Sequence, residues 1–248
     1  MKRSIKFAFR ITLVVFTVII LNSCIIVNPF DYNTVSGKGS PENYEIKTGQ
    51  FDGINVKGFC DIRYYAASSD TVTLSVQPNL REFFIIEVVN GDLVVNTTKR
   101  INFKPGFNPV LTVSAPVLNR LTIEGACNFT AYEKIVSDSL TITFNGAGES
   151  KTEIDTENLL VNISGAGKMN LSGNAKKAEF NMSGAGEVAA LSLSTVETNV
   201  SFSGAGSLTI SCSDKLNIDA SGVGSVAYRG NPVVNINKNG LVDIKRVN

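Results

Sequence analysis

The stretch 161–186, VNISGAGKMNLSGNAKKAEFNMSGAG, decides the fold because it contains the same short pattern twice. In each copy, four residues alternate between apolar and polar side chains, and Ser-Gly-Ala-Gly begins at the last of them. Alternation with a period of two is typical of a β-strand with one buried face. Each repeat therefore predicts a strand, a glycine-rich corner, a second strand and a turn.

The pattern occurs six times between 121 and 224, and the first glycines of successive corners are 18 to 21 residues apart. Repeats this short bury a core only by stacking on one another. Leucine-rich repeats need a fixed leucine frame that is missing here, and propeller blades need about 40 residues each. We therefore predict an all-β fold, a parallel β-helix (a β-solenoid) with about 20 residues per coil.

The corner glycines permit a positive φ angle or a close approach of two backbones. We expect the small alanine between them to occupy the crowded inner side of the corner. A phosphate-binding loop needs both a lysine and a helix after its glycines, and this combination is missing here. The predicted structural corner glycines are Gly125, Gly146, Gly148, Gly165, Gly167, Gly184, Gly186, Gly204, Gly206, Gly222 and Gly224.

Stacking also predicts ladders of outward side chains, which specify the register of the coils. Glu149, Lys168 and Glu187 alternate in charge along one such column. Asn162 and Asn181 form an amide pair in another. The hydroxyl column consists of Ser164, Ser183, Ser203 and Ser221.

The amino terminus has the features of an export signal. Residues 1–23 carry four cations and no acid, and an apolar run covers 11–21. That run is shorter than the roughly 20 residues of a membrane-spanning helix. The following Leu-Asn-Ser-Cys, 21–24, resembles the lipobox of bacterial lipoproteins, which implies lipidation of Cys24 and membrane attachment. The alternative is an ordinary secretory signal. Residues 24–44 are read as a flexible tether.

Composition excludes several classes of protein. The 248 residues include no histidine, which excludes catalytic triads and most zinc sites. Without the first 23 residues the chain has 19 cations and 22 acids, a net charge of −3. Nucleic-acid binding needs a basic face, and we therefore expect no nucleic-acid partner. We also expect no cofactor, no metal and no catalytic residue.

Three cysteines remain besides Cys24, namely Cys60, Cys127 and Cys212. All three lie in apolar-patterned segments, which favours buried cysteines that act as small hydrophobic residues. Three is an odd number, so at most one disulfide can form, and the sequence does not say which two would pair.

Residues 45–118 are also strand-like but less regular, and Asn90-Gly91-Asp92 predicts a hairpin turn. With 115–125 (APVLNRLTIEG) and the repeats of 119–248, the segment FDGINVKG, 51–58, resembles the auto-transporter adhesin, head GIN domain family. The name refers to Gly-Ile-Asn, here Gly53 to Asn55. The resemblance covers about 45–248 and implies a right-handed β-helix in lipoproteins and secreted proteins of Bacteroidetes-type bacteria. It implies no catalytic residues.

The sequence favours a non-enzymatic, adhesin-like or scaffold module of the cell envelope, anchored in the outer membrane, whose solenoid faces bind a glycan or protein ligand. Whether it faces the periplasm or the outside, and its oligomeric state, stay open.

The irregular loop 99–109 combines cations and aromatic residues, so it is a candidate contact for an anionic or carbohydrate ligand. Its candidate residues are Lys99, Arg100, Phe103, Lys104 and Phe107. The other reading is that Phe103 and Phe107 cover the core.

Two alternatives differ in class. A polysaccharide lyase or hydrolase needs acids clustered on adjacent coils. Glu149 and Glu187 are two coils apart with Lys168 between them, and Asp155 and Glu157 lie in a single turn, so no such cluster is predicted. A periplasmic structural or envelope-signalling protein is the second alternative.

Overall fold

A computed structural model describes residues 35–98 and 108–248. Cys24 and the signal peptide lie outside the described residues. So do all five candidate residues of the loop: Lys99, Arg100, Phe103, Lys104 and Phe107. No helix in 35–98 or 108–248 is both long enough and apolar enough to cross a membrane.

The described chain is a β-solenoid of about 7 turns with about 19 residues per turn, which confirms the predicted fold. A single 3-10 helix, Pro78–Phe83, interrupts the strands of the described ranges. The strands are β1 Glu42–Ile46, β2 Gly53–Lys57, β3 Asp61–Ala66, β4 Thr71–Val76, β5 Phe84–Val89, β6 Asp92–Thr97, β7 Val110–Ala115, β8 Arg120–Ile123, β9 Asn128–Ala131, β10 Ile135–Phe144, β11 Ala147–Ile163, β12 Ala166–Met182, β13 Glu187–Phe202, β14 Ala205–Ala220, β15 Val223–Arg229, β16 Val233–Lys238 and β17 Leu241–Arg246.

Each layer of the solenoid has one strand that runs into the corner and one that leaves it. The incoming sheet contains β5, β6, β2, β8, the carboxyl-terminal halves of β10 to β14, and β16. The outgoing sheet contains β1, β4, β7, β3, β9, the amino-terminal halves of β11 to β14, and β15 and β17. The middle of β11, β12 and β13 continues the pairing around a short third side.

The core lies between the sheets, where the alternating apolar residues stack in columns. Ile163, Met182, Phe202 and Ala220 are neighbours in one such column, and all are buried. After the corner, Met169, Val188 and Leu208 form a second buried column on the outgoing sheet. The period of two in the sequence thus correctly predicts which side chains face inward.

The corner alanines do not lie where the sequence predicts. Ala147, Ala166 and Ala205 are exposed on the outer side of the corner, not crowded inside it. The glycine before each alanine makes the close approach instead, because a Cβ atom at Gly165 would overlap the carbonyl oxygen of Gly146. The same overlap would occur between Gly146 and Gly125. A side chain at this glycine would therefore separate two stacked layers.

The order of layers differs from the order of the sequence near the amino-terminal end. The layer β2–β3 pairs on one side with β6–β7 and on the other with β8–β9. The chain leaves β3, builds β4 to β7 on one side, and returns to place β8 and β9 on the other. The predicted hairpin is confirmed within this part, since β5 and β6 are antiparallel and Asn90 and Gly91 have φ angles of 53° and 83°.

The amino-terminal end of the solenoid is closed by antiparallel strands and the 3-10 helix. β4 pairs antiparallel with β7 and then with β1, so the first strand, from Glu42, lies partly within the stretch expected to be a tether. The 3-10 helix joins β4 on one sheet to β5 on the other, and Leu80 is 0% exposed in the core. The Arg81 guanidinium lies 5.9 Å from the ring centre of Tyr44 on β1.

The carboxyl-terminal end of the described solenoid is built differently. β16 and β17 stack on β14 and β15 in the same parallel register as earlier layers. In the core-facing columns, however, Lys238 follows Ala220 and Arg246 follows Tyr228. Ile236, which follows the buried Ile218, is 50% exposed. Charged side chains therefore stand where earlier layers carry buried or partly buried ones.

Candidate functional site

The outgoing sheet carries a polar and aromatic surface on three neighbouring layers, and we call it the tyrosine patch. Because alternate residues of a strand face the same side, outward side chains of β3, β9 and β11 come together. The register aligns Asp61 with Asn128, and Arg63 with Thr130, which in turn aligns with Lys151. The tyrosine patch consists of Asp61, Arg63, Tyr65, Asn128, Thr130, Tyr132, Glu149 and Lys151. Most of these residues line a shallow groove of about 620 Å³.

Two tyrosines form the aromatic part of the patch. The rings of Tyr65 and Tyr132 are 5.0 Å apart between centroids and 4° from parallel. Tyr132 is nevertheless 55% exposed, so the stack does not remove it from solvent. Tyrosine combines a large apolar area with a hydroxyl group and loses little entropy when it is immobilised, which is why it is common in binding surfaces.

Hydrogen bonds between layers hold the polar part of the patch in place. The Asp61 carboxylate accepts from Asn128 Nδ2 at 2.9 Å and from Asn108 Nδ2 at 3.1 Å. Asn128 Oδ1 accepts from the backbone N–H of Glu149 at 2.9 Å. Asp61, Asn128 and Glu149 are thus linked across three layers.

The same contacts connect the patch to the loop that the sequence singled out. The backbone N–H of Asp61 donates to the carbonyl oxygen of Pro109 at 2.9 Å. Asn108 and Pro109 are the described end of the loop 99–109, which joins β6 to β7. The tyrosine patch therefore begins where this loop ends.

Charges elsewhere on the solenoid are arranged in pairs between layers. Lys168 aligns with both Glu149 and Glu187, as the sequence predicts, and its Nζ is 3.6 Å from the carboxylate of Glu187. Glu157 contacts Lys176 at 3.1 Å, and Glu153 contacts Lys134 at the same distance. These carboxylates face cations, whereas acid–base hydrolysis of a glycan needs two carboxyl groups around one bond. Among the described residues, no group of three or more His, Cys, Asp or Glu could hold a metal ion.

Amide ladders occupy the incoming sheet. Asn181 Nδ2 donates to Asn162 Oδ1 at 3.1 Å, which confirms the predicted pair. A second ladder joins Asn217 to Asn199 at 2.7 Å and Asn235 to Asn217 at 3.0 Å. We did not predict this second ladder, although its members are 18 residues apart and that spacing is visible in the sequence.

The tyrosine patch was also missed from the sequence. Tyr65 and Tyr132 are far apart in the chain, and β4 to β7 lie between them. The repeat pattern starts only after 118, so no periodicity indicates that β3 and β9 are neighbours. The available signal was Tyr64-Tyr65 in a strand whose alternation places Tyr64 inside and Tyr65 outside.

The Gly-Ile-Asn motif lies at a junction of three layers. The Arg120 guanidinium contacts Asp52 at 2.5 Å and Asp92 at 2.9 Å, and so links the starts of β2, β6 and β8. The hydrogen bond from Arg120 lowers the pKa of Asp52. A Cβ atom at Gly53 would overlap the carboxylate of Asp92, which explains why a glycine stands there. Ile54 is buried in the core.

Solved structures share this fold. A putative adhesin from Bacteroides fragilis has a TM-score of 0.83 at 21% identity, covering 86% of this chain and 100% of that chain. A putative adhesin from Parabacteroides merdae has a TM-score of 0.67 at 22% identity, with 87% and 99% covered. A putative lipid binding protein from Parabacteroides distasonis has a TM-score of 0.66 at 21% identity, with 87% and 100% covered. At these identities the likeness concerns the fold alone.

No curated protein matches the chain significantly. A family model described as "Putative auto-transporter adhesin, head GIN domain" matches residues 50–232. The match includes the Gly53-Ile54-Asn55 motif and every Gly-Ala-Gly corner. The chain therefore belongs to the auto-transporter adhesin, head GIN domain family.

Proposed function

We propose that the protein is a non-enzymatic, adhesin-like binding module of the cell envelope, and that it binds a glycan or protein ligand through the tyrosine patch. The observation that carries the proposal is the Tyr65–Tyr132 stack, in which Tyr65 is partly buried and Tyr132 is 55% exposed. Arg63 and Lys151 flank it with cations, while Asp61 and Asn128 supply hydrogen-bonding groups. A surface of this kind offers an aromatic anchor and polar groups of fixed position, the usual composition of a recognition site.

The sheet supports the patch rigidly. Its three strands pair with further strands on both sides, and Phe129 and Ile62 fix them from the core with at most 1% exposure. A ligand therefore meets side chains whose backbone is already ordered, which reduces the entropy lost on binding. The family's adhesin description and the cell-surface or envelope location that it suggests are consistent with such a role.

Binding of the full chain to an array of glycans and extracellular-matrix proteins tests the proposal. We expect Tyr132→Ser and Lys151→Ala each to weaken the strongest interaction about tenfold or more, the effect of a central interface residue. Lys245→Ala is the matched control because Lys245 belongs to the same outward column as Lys151 at the far end of the sheet. Equal binding by all three variants would remove the patch from consideration.

The anchor is a separate part of the proposal. Attachment to the outer membrane requires an acylated Cys24, so Cys24→Ser is expected to move the protein from the membrane fraction to the soluble fraction and to abolish incorporation of labelled fatty acid. Protease added to intact cells then distinguishes an exposed adhesin, which is degraded, from a periplasmic structural protein, which is protected.

A further inference from the structure

Two adjacent corners carry a cysteine where the regular repeats carry a glycine. The residue after the corner alanine is glycine in the regular repeats, as at Gly148 and Gly167, which are aligned neighbours. In the layer β2–β3 the equivalent residue is Cys60, which follows Gly58-Phe59. In the layer β8–β9 it is Cys127, which follows Gly125-Ala126. Because Asp61 aligns with Asn128, the preceding cysteines lie side by side on neighbouring layers. Neighbouring strands are about 4.8 Å apart, which is within the Cα–Cα range of a disulfide.

The side chains of the two cysteines also meet. Cys60 and Cys127 are 2% and 1% exposed. Cys127 Sγ donates to the carbonyl oxygen of Gly58, in the corner that contains Cys60, at 3.2 Å. The neighbouring Cys127 and burial raise the pKa of Cys60. Cys212 belongs to a distant layer, and its Sγ lies within hydrogen-bonding distance of the carbonyl oxygens of Val196 and Lys215, at 3.3 Å and 3.1 Å. Of the three cysteines, only this pair is placed for cross-linking.

We propose that Cys60 and Cys127 are oxidised to a disulfide that joins the layer β2–β3 to the layer β8–β9. The inference goes beyond the proposed binding function and uses only the envelope location, where disulfides form and persist. Both sulfurs are buried in the folded protein, so the bond forms while the two layers come together.

The reaction is thiol–disulfide exchange with an oxidised partner, such as glutathione disulfide or the disulfide of an oxidoreductase. The thiolate of Cys127 attacks one partner sulfur, forms a mixed disulfide and releases the other as a thiolate. Cys60 then loses its proton and attacks the Cys127 sulfur, which expels the second partner thiolate. Two electrons pass to the partner, whose disulfide becomes two thiols.

The cross-link would close a loop that contains most of the amino-terminal cap, all of it except β1. Residues 61–126 include β4 to β7 and the 3-10 helix, which lie in the chain between the corner of Cys60 and the corner of Cys127. A disulfide across a long loop reduces the conformational freedom of the unfolded chain more than one across a short loop. The bond would therefore fasten the cap to the regular solenoid.

Peptide mapping of the full chain, purified from bacterial membranes, tests the proposal directly. The protein is denatured without reductant, alkylated and digested with trypsin, which releases Cys60 in 58–63 and Cys127 in 121–134. We expect these two peptides as one disulfide-linked species, with Cys212 alkylated. Alkylation of both Cys60 and Cys127, or a link from either one to Cys212, would overturn the proposal.

A thermal measurement adds a second readout. Reduction is expected to lower the Tm by about 10 °C, given the loop length and the size of the domain. Cys60→Ser should remove this dependence on reductant, while Cys212→Ser should keep it. An unchanged Tm after reduction of the wild-type chain would contradict the stabilising role. Neither readout depends on ligand binding, so failure of the binding function and failure of the cross-link are distinguishable.

Discussion

The two ends of the solenoid solve the same problem in opposite ways. A stack of parallel layers exposes unpaired backbone groups and core side chains at each end, and such edges are prone to aggregation. The amino-terminal end is covered, because antiparallel strands continue the sheets and Leu80 closes the core. At the carboxyl-terminal end of the described layers, which we call the open end, no described antiparallel strand covers β16 and β17, and Lys238 and Arg246 occupy core-facing columns. One end thus contributes to stability, whereas the other mainly discourages association.

The largest expected effect follows from removing the amino-terminal cover. Leu80→Ala deletes a fully buried side chain and is expected to lower the free energy of unfolding by about 2–5 kcal/mol. The matched change at the open end, Ile236→Ala, is expected to cost less than about 1 kcal/mol because half of that side chain is already exposed. Denaturant unfolding of both variants measures the difference. If both variants lose the same unfolding free energy, the two ends do not differ in their contribution to stability.

The next effect concerns the glycine of the Gly-Ile-Asn motif. Gly53→Ala forces Asp92 away from Arg120, and we expect a loss of about 1–2 kcal/mol in unfolding free energy. Gly49→Ala is the control, since a Cβ atom there meets nothing within 4 Å. Thermal melts of the two variants should therefore separate by several degrees, and coincident melts would show that Asp92 moves without cost.

Acidification weakens the same junction at the amino-terminal end. The pKa of Asp52 is lowered in the folded state, chiefly by the hydrogen bond from Arg120. Its contribution to stability is therefore present above the unfolded pKa of about 4 and disappears as the pH falls through the folded value. Because both side chains are about two-fifths exposed, we expect a contribution below about 1 kcal/mol. In Arg120→Gln the unfolding free energy should fall less steeply with pH between pH 5 and pH 2, roughly the range in which carboxyl groups titrate. If the unfolding free energy of Arg120→Gln falls with pH as steeply as that of the wild-type chain, the Asp52–Arg120 contact does not contribute to acid sensitivity.

The smallest effect on stability is expected at the open end. Replacing Lys238 and Arg246 together by leucine removes the inward charges but leaves the layers beneath intact, so the unfolding free energy should change by less than about 1 kcal/mol. The oligomeric state should change instead, because an apolar edge of two strands becomes available for pairing. Sedimentation of the double variant and the wild-type chain checks this, and a monomeric double variant would show that other features protect the end.

The sequence predicts the regular part of the molecule well and its amino-terminal part poorly, for a physical reason. In 119–248 the repeat length and the period of two determine which strands pair and which side chains face inward. In 45–118 the alternation still identifies strands, but nothing in it indicates that β2–β3 lies between β6–β7 and β8–β9. Pairing there depends on tertiary contacts between distant segments, and the tyrosine patch is a product of that pairing.

The alanines of the corners illustrate a smaller limit. Their size suggested the crowded side of the corner, yet Ala166 is exposed while Gly165 makes the close approach. Which of three adjacent small residues faces inward depends on the exact backbone path through the bend. The alternation of apolar and polar residues stops at the glycines and does not indicate that path.

The position of β2–β3 between two later layers has a consequence for how the chain folds. Each regular repeat pairs with a neighbour made about 19 residues earlier, so layers can be added one at a time. β2 and β3, in contrast, complete their hydrogen bonding only when β8 and β9 are present, after the intervening loop has been closed at an entropic cost. β2 and β3 therefore come early in the chain but complete their pairing late, once the residues up to 131 are available.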